Sequence, residues 1–236
     1  MSDRIYHSEP ALYECFHTEY DFDREVAFIM ERATEIGIDD PDRILEVGCG
    51  TGEHTTRLAT MTETIVGVDL HRGMVTYAAE KGLDRLVQGA IPELPVCETF
   101  PIVVAIRAVI NHLPPAQIEA GIRSLADRVA NPGVLVFDNF HFPPEGADVA
   151  LDIGELAGNE VARIVTMNPC GPNRLNWDTV CFLPPGETIV NRRPVTIVDD
   201  DTIEAVLRDE GMDVDRTDGF HADDEGRTVF VATNGG

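Results

Sequence analysis

The stretch Ile44-Leu45-Glu46-Val47-Gly48-Cys49-Gly50-Thr51-Gly52 decides how this chain folds. Ile44, Leu45 and Val47 form a short apolar run of strand length, and three alternating glycines follow at once. Glycine has no Cβ, so such a turn reaches positive φ and lets a ligand come close to bare backbone. A buried strand feeding a glycine turn is how an open α/β sheet presents itself to a nucleoside-type cofactor.

The spacing narrows the cofactor. A dinucleotide fingerprint, GxGxxG, needs a glycine three residues after Gly50, where this chain has Glu53. A carboxylate there repels the pyrophosphate that a helix N-terminus would otherwise hold, so NAD fits poorly. The pattern is GxGxG preceded by Glu46, which puts an anion where a cationic ligand group can sit. That suits S-adenosylmethionine (SAM), which is cationic at sulfur and ammonium and carries no phosphate. Thr64-Ile-Val-Gly-Val-Asp69 is a second apolar strand ending in a carboxylate, about twenty residues beyond the first glycine, the distance at which an acid accepts both ribose hydroxyls.

With these residues in place the chain resembles the class I SAM-dependent methyltransferases. Ile44 to Gly52 resembles their first motif, and Gly67-Val-Asp-Leu-His-Arg-Gly-Met-Val75 the following acidic-strand motif. Val87 to Pro95, Ile102 to Leu113 and Asn131 to Pro144 resemble, in order, the segments around the third, fourth and fifth strands. The likeness is strongest to the small-molecule branch that includes the amino-sugar N,N-dimethyltransferases. It implies a Rossmann-like α/β fold with a mainly parallel seven-stranded sheet, an antiparallel last strand and a small antiparallel β insertion. It also implies SAM bound by Glu46, Gly48, Cys49, Gly50, Asp69, Leu70, Met74, Ala90, Ile91 and Ile106. One departure is Ala90, where the family has an aspartate for the adenine amine; backbone groups near Ala90 and Ile91, or another side chain, must take that contact. Another is Pro101, where the family commonly has an aspartate.

The chain is expected to be one methyltransferase domain over residues 1–236. Residues 1–40 form an N-terminal helical lid, 41–142 and 199–236 the core, and about 143–198 the insertion. A helix is expected from Arg24 to Ile36 with Asp23 as N-cap, and another from Pro115 to Ala130, ended by Asn-Pro-Gly. Core strands are expected at Arg43 to Val47, Thr64 to Val68, Arg85 to Val87, Ile102 to Ile106 and Val134 to Asp138. Beyond Pro143 the turns become too short for crossover helices, so Glu160 to Met167, Arg174 to Leu183 and Glu187 to Val198 read as antiparallel strands. This insertion is a structural flap, a wall for the substrate, or an oligomer interface such as a homodimer surface. A helix from Asp201 to Glu210 and strands at Met212 to Asp218 and Thr228 to Ala232 close the chain.

Composition sets the surroundings. The chain has 42 Asp and Glu against 18 Lys and Arg, a net charge of −24, and Lys81 is its only lysine. Arginine for lysine and a carboxylate-rich surface suit molar salt, where the Debye length falls to about 3 Å; a halophilic cytoplasm is expected. Such a surface repels phosphate backbones, so no nucleic acid is expected as substrate. No membrane span is expected either: the longest apolar runs are of strand length, and Met-Ser-Asp-Arg does not open a signal peptide. The five scattered cysteines include no CxxC pair, which argues for reduced thiols and no metal.

The chemistry this implies is in-line displacement at the SAM methyl carbon by a small-molecule acceptor, at an amine nitrogen before an oxygen. Positioning carries most of such a reaction, so no base is obligatory. His141, just beyond the fifth strand and flanked by Phe140 and Phe142, is the preferred base; His112, beyond the fourth strand, and Tyr13 in the lead segment are the other catalytic candidates. Arg107 is expected to offer its backbone to adenine rather than its charge to substrate. The alternatives are a nucleic-acid or protein methyltransferase and a non-catalytic SAM-binding regulator. The Asn-Pro-Pro-aromatic signature of amino-methylating DNA enzymes is not matched by Asn111-His-Leu-Pro-Pro-Ala116.

Overall fold

A computed structural model describes residues 4–221 and 226–235; the first three residues of the Met-Ser-Asp-Arg start lie outside them. The lead segment carries two short helices, α1 (Arg4–His7) and α2 (Pro10–Glu14), and the longer α3 (Phe22–Glu35). Then β1 (Arg43–Val47), α4 (Glu53–Leu58), β2 (Thr64–Asp69), α5 (Arg72–Glu80), β3 (Leu86–Gln88), β4 (Phe100–Ala105), α6 (Ile118–Ala126) and β5 (Val129–Phe140) follow in alternation. Four strands come next, β6 (Ala147–Leu156), β7 (Asn159–Gly171), β8 (Arg174–Leu183) and β9 (Glu187–Thr196), before α7 (Asp200–Asp209), β10 (Asp213–Asp218) and β11 (Arg227–Asn234).

The seven core strands lie in the order β10-β11-β5-β4-β1-β2-β3. All pairs from β5 through β3 are parallel, and β11 runs antiparallel to both neighbours. Alternation along the strands divides the core in two, because successive side chains point to opposite faces. Leu45, Val47, Val103, Leu135 and Phe137 pack under α6 and α7, while Ile44, Ile102, Val104, Val134 and Val136 pack under α3 and α4. The chain winds outward from β1 to β3, then returns to β4 on the other side of β1. That reversal opens a crevice at the carboxyl ends of β1 and β4, where open α/β sheets bind ligands.

The second sheet, β6-β7-β8-β9, is wholly antiparallel. Its inner face buries Val161, Cys181 and Ile189 against Ile5 and Leu12 of the lead segment. The lead segment is thus held between the second sheet and the carboxyl edge of the first.

Three local expectations need correction. Asp21, not Asp23, caps α3, its carboxylate accepting from the Arg24 N–H at 3.0 Å. The helix before β5 spans only Ile118–Ala126, and Asn131-Pro132-Gly133 does not stop it. Instead the register against β4 jumps from Phe100↔Val129 to Ile102↔Val134, so the extra residues loop out at the start of β5. The second sheet also has a fourth strand, β6, whose Val149, Leu151 and Ile153 alternate at strand period but face outward.

Candidate active site

The glycine turn has the expected positive φ. Gly48, Gly50 and Gly52 have φ of 75°, 53° and 85°. Gly48 is also fixed by space, since a Cβ there would lie 2.4 Å from Val109 Cγ2. Asp69 completes the turn from β2: its Oδ2 accepts from the Gly50 N–H at 3.0 Å and its Oδ1 from the His71 N–H at 2.7 Å. Burial pushes the Asp69 carboxyl above the usual carboxylate range, against the pull of these two N–H bonds.

Around this turn lie three adjoining cavities. The largest, about 410 Å³, follows the carboxyl ends of the strands past Gly48, Gly50, Asp69, Leu70, Met74, Ala90, Ile91 and Ile106. Met74 is buried, whereas Leu70 is exposed at its rim. A second, of about 340 Å³, lies between the turn and the lead segment, lined by Cys49, Thr51, His17, Tyr20 and Arg57 among others. The third, about 80 Å³, lies under the second sheet among Tyr6, Phe16, Phe140, Arg163, Trp177 and Asn191. Tyr13 and Arg107 line all three. Tyr6 and His112 form, with them, the wall shared by the first and third.

The ten residues expected at the cofactor thus gather at the turn and the two larger cavities, with one exception. Glu46 lies one layer back: its Oε2 accepts from Thr55 Oγ1 at 2.5 Å, and its side chain lines none of the three cavities. It ties the end of β1 to α4. Cys49 is buried, and that burial, with Glu46 and Asp69 nearby, keeps its thiol protonated.

The catalytic candidates separate. His141 is not at the cavities: its Nε2 lies 3.1 Å from Asp200 Oδ2 and 3.0 Å from Thr228 Oγ1, on the exposed side of the β5 end. His141 follows the last β5–β11 pair, its N–H donating to the Gly226 carbonyl at 2.8 Å, whereas His112 lines the shared wall. Its neighbours Phe140 and Phe142 do turn inward, toward Trp177. His112 is half-buried in the shared wall, and its buried Nδ1 has no hydrogen-bond partner among the described residues. Burial, and then the charge of Arg193, hold its imidazole well below the usual histidine range, so it stays neutral. Tyr13 is likewise kept protonated, first by burial and then by Tyr6 and Tyr20.

Several side chains at these cavities were not foreseen in these roles, the Arg107 guanidinium among them. Each of three arginines lies over an aromatic ring of the lead segment: Arg107 at 3.7 Å from the Tyr20 centroid, Arg193 at 4.1 Å from Tyr6 and Arg163 at 4.7 Å from Phe16. Arg193 also approaches His71 Nε2 at 3.0 Å, and His71 stacks on Tyr6. Lys81 bridges Glu14 of α2 and Glu53 of α4, tying the lead segment to the glycine turn. Gly73 permits the same docking, since a Cβ there would lie 2.0 Å from the His7 carbonyl oxygen. Arginines alternating with aromatics across distant segments were the available signal, but no local motif joins them.

Among the described residues no group of three or more His, Cys, Asp or Glu is placed to hold a metal ion, and no helix is long and apolar enough to cross a membrane.

Residues 44–133 match the family described as a methyltransferase domain. Over 125 residues the chain is 29% identical to the dTDP-3-amino-3,4,6-trideoxy-alpha-D-glucopyranose N,N-dimethyltransferase of Streptomyces venezuelae, a match covering 51% of this chain and 53% of that protein. It is also 29% identical over 125 residues to the dTDP-3-amino-3,6-dideoxy-alpha-D-glucopyranose N,N-dimethyltransferase of Streptomyces fradiae, covering 51% and 49%. The chain spans about half the length of the curated relatives it matches. Among solved structures, the sugar N-methyltransferase of a Streptoalloteichus species superposes with a TM-score of 0.83 at 20% identity, covering 100% of this chain and 96% of that one. A SAM-bound amino pentose methyltransferase of Micromonospora echinaspora gives 0.78 at 24% identity, covering 99% of each. These two share the fold from end to end. The glycine turn and the strand ends that shape its crevice lie within residues 44–133, the part that matches a methyltransferase domain, and over about half its length the chain is similar to amino-sugar N,N-dimethyltransferases.

Proposed function

We propose that this chain transfers the methyl group of SAM to a small-molecule acceptor, at an amine nitrogen. The observation that carries the reading is the shared wall: a cofactor-sized cavity beside the glycine turn and a smaller aromatic cavity meet at Tyr6, Tyr13, Arg107 and His112. The residues suit SAM, with apolar surface at Met74 and Ile91 for adenine, the Asp69 carboxylate for ribose, and Glu53 rather than a glycine where a phosphate would meet the start of α4. SAM supplies, when bound, a methyl group on a sulfonium leaving group.

The chain's own residues do the rest. Rings from Tyr6, Tyr13, Phe140 and Trp177 enclose the smaller cavity and exclude water. Orientation of this kind is worth roughly 7–11 kcal/mol of barrier. His112 lines the shared wall as an uncharged imidazole and is the residue placed to take the acceptor's proton; a base of this type adds a factor of about 10²–10⁴. Tyr13, held protonated, orients the acceptor by hydrogen bonding and does not act as an anionic base.

Residues 1–40 act in this reading as a lid over both ligands, and the second sheet as the far wall of the acceptor site. Its outer face exposes Val149, Leu151, Ile153, Phe182 and Val190, an apolar patch on a chain of net charge −24, and is the surface for a homodimer. A small acceptor, no nucleic acid, and a halophilic cytoplasm remain part of the proposal. The test is a labelled-SAM screen against amines, amino sugars and hydroxylated metabolites in high salt. Label passing to an amine supports the reading, and transfer only to hydroxyls or to macromolecules refutes the nitrogen acceptor. His112→Gln should lower kcat within the range above while leaving SAM binding intact.

A further inference from the structure

Arg107 follows β4 with φ of 74°, and Ala108 continues at 62°, two successive non-glycine residues in left-handed backbone. Each such residue costs about 1–3 kcal/mol unless its surroundings over-determine it. Here Asp138 on β5 does so, its carboxylate accepting from the Arg107 N–H at 3.1 Å and the Ala108 N–H at 2.8 Å. The turn sends the Arg107 side chain back to the lead segment, where Nη2 donates to Glu25 at 2.6 Å and the guanidinium lies over Tyr20.

Neither contact explains the expense. Glu25 already accepts from Arg227 at 2.8 Å and lies 2.5 Å from His54 Nε2, so its charge is balanced without Arg107. The Arg107 Nε is buried with no hydrogen-bond partner among the described residues, although buried donors are seldom left unpaired. This incompletely used cation lines both the Asp69 cavity and the cavity between the glycine turn and the lead segment, which share Gly48 and Gly50 but of which only the first includes Asp69. A ligand with its ribose at Asp69 and its sulfur at the turn carries its amino-acid tail into the second cavity.

We propose that Arg107 is the receptor for the α-carboxylate of SAM, and that Glu25 and Asp138 are positioning residues that hold its guanidinium there. The inference deepens the methyltransferase reading and rests on it. The experiment is titration calorimetry in high salt with SAM and with its decarboxylated form, which keeps the adenosine, sulfonium and amine. The wild-type chain should bind SAM roughly 10–100-fold more tightly, the worth of a hydrogen-bonded charge contact. The bulk field cannot produce this, because a net charge of −24 favours the more cationic decarboxylated form. Arg107→Met should bring the two affinities within about threefold of each other, and Arg107→Lys should keep part of the preference. Equal wild-type affinities overturn the inference with no variant needed, as does a preference that survives Arg107→Met. A wild-type chain that binds neither compound overturns the methyltransferase reading itself.

Discussion

Glu25 and Arg227, 202 residues apart, meet at 2.8 Å with both side chains almost wholly buried, so the first long helix and the last strand share one ion pair. The same carboxylate serves Arg107 and His54. Burial works hardest against its ionisation, but His54, Arg107 and Arg227 outweigh that and hold it at about 2. Its folded pKa lies below its unfolded one, so this stabilisation is complete above about pH 4.5 and is lost as pH falls toward 2. Glu25→Gln leaves Arg107 without its carboxylate and Arg227 with Asp138 alone, and should cost about 3–5 kcal/mol in denaturant unfolding at neutral pH. A cost under about 1 kcal/mol would mean the pair is no more than a surface bridge.

His17 governs a different pH range. Burial, followed by the nearby Arg163 charge, lowers its pKa to about 4, and its Nδ1 donates to the Tyr13 carbonyl at 2.6 Å. The unfolded chain therefore binds a proton that the folded one refuses between about pH 6.5 and 4. Stability is full above that window and falls through it, by on the order of 3 kcal/mol. Thermal unfolding followed from pH 7 to 4 should be less steep for His17→Gln than for the wild type. Identical profiles would show that the imidazole is not held neutral by the lid.

Salt should stabilise this chain. With 42 acidic residues against 18 basic ones, self-repulsion dominates the surface at low ionic strength. The midpoint of thermal unfolding should rise by on the order of 10 °C between about 0.1 M and 3 M KCl. A flat or falling midpoint would contradict the halophilic reading.

The outer face of the second sheet gives an independent prediction. Leu151 and Ile153 are exposed and adjacent on one face of β6. If this face joins two copies, Leu151→Glu should convert a dimer to a monomer in light scattering at high salt while leaving the unfolding midpoint of the monomer unchanged. A wild-type chain that is already monomeric at micromolar concentration removes the homodimer.

Much of this fold was legible because its signals are local. β1 and β8 fall on the expected residues, since each is an apolar-rich run closed by turn residues. The Gly50–Asp69 bond joins two motifs that were each readable alone. What escaped depends on distant parts. His141 was preferred for its flanking aromatics, but only the β5–β11 pairing reveals that its imidazole turns to Asp200. Arg107 was read as a backbone contact, because nothing in Ile106-Arg107-Ala108 announces a left-handed turn; Asp138 imposes it from a neighbouring strand. β6 was missed because its alternation points outward, where an apolar residue has no core to report.

Calorimetric titration of SAM into the wild-type chain and into Asp69→Ala, in high salt, tests the central claim most directly. The account predicts one site on the wild type, and an affinity at least roughly tenfold weaker in the variant, which loses both the ribose acceptor and the bond that holds Gly50. No binding by the wild type, or equal binding by both, would contradict it.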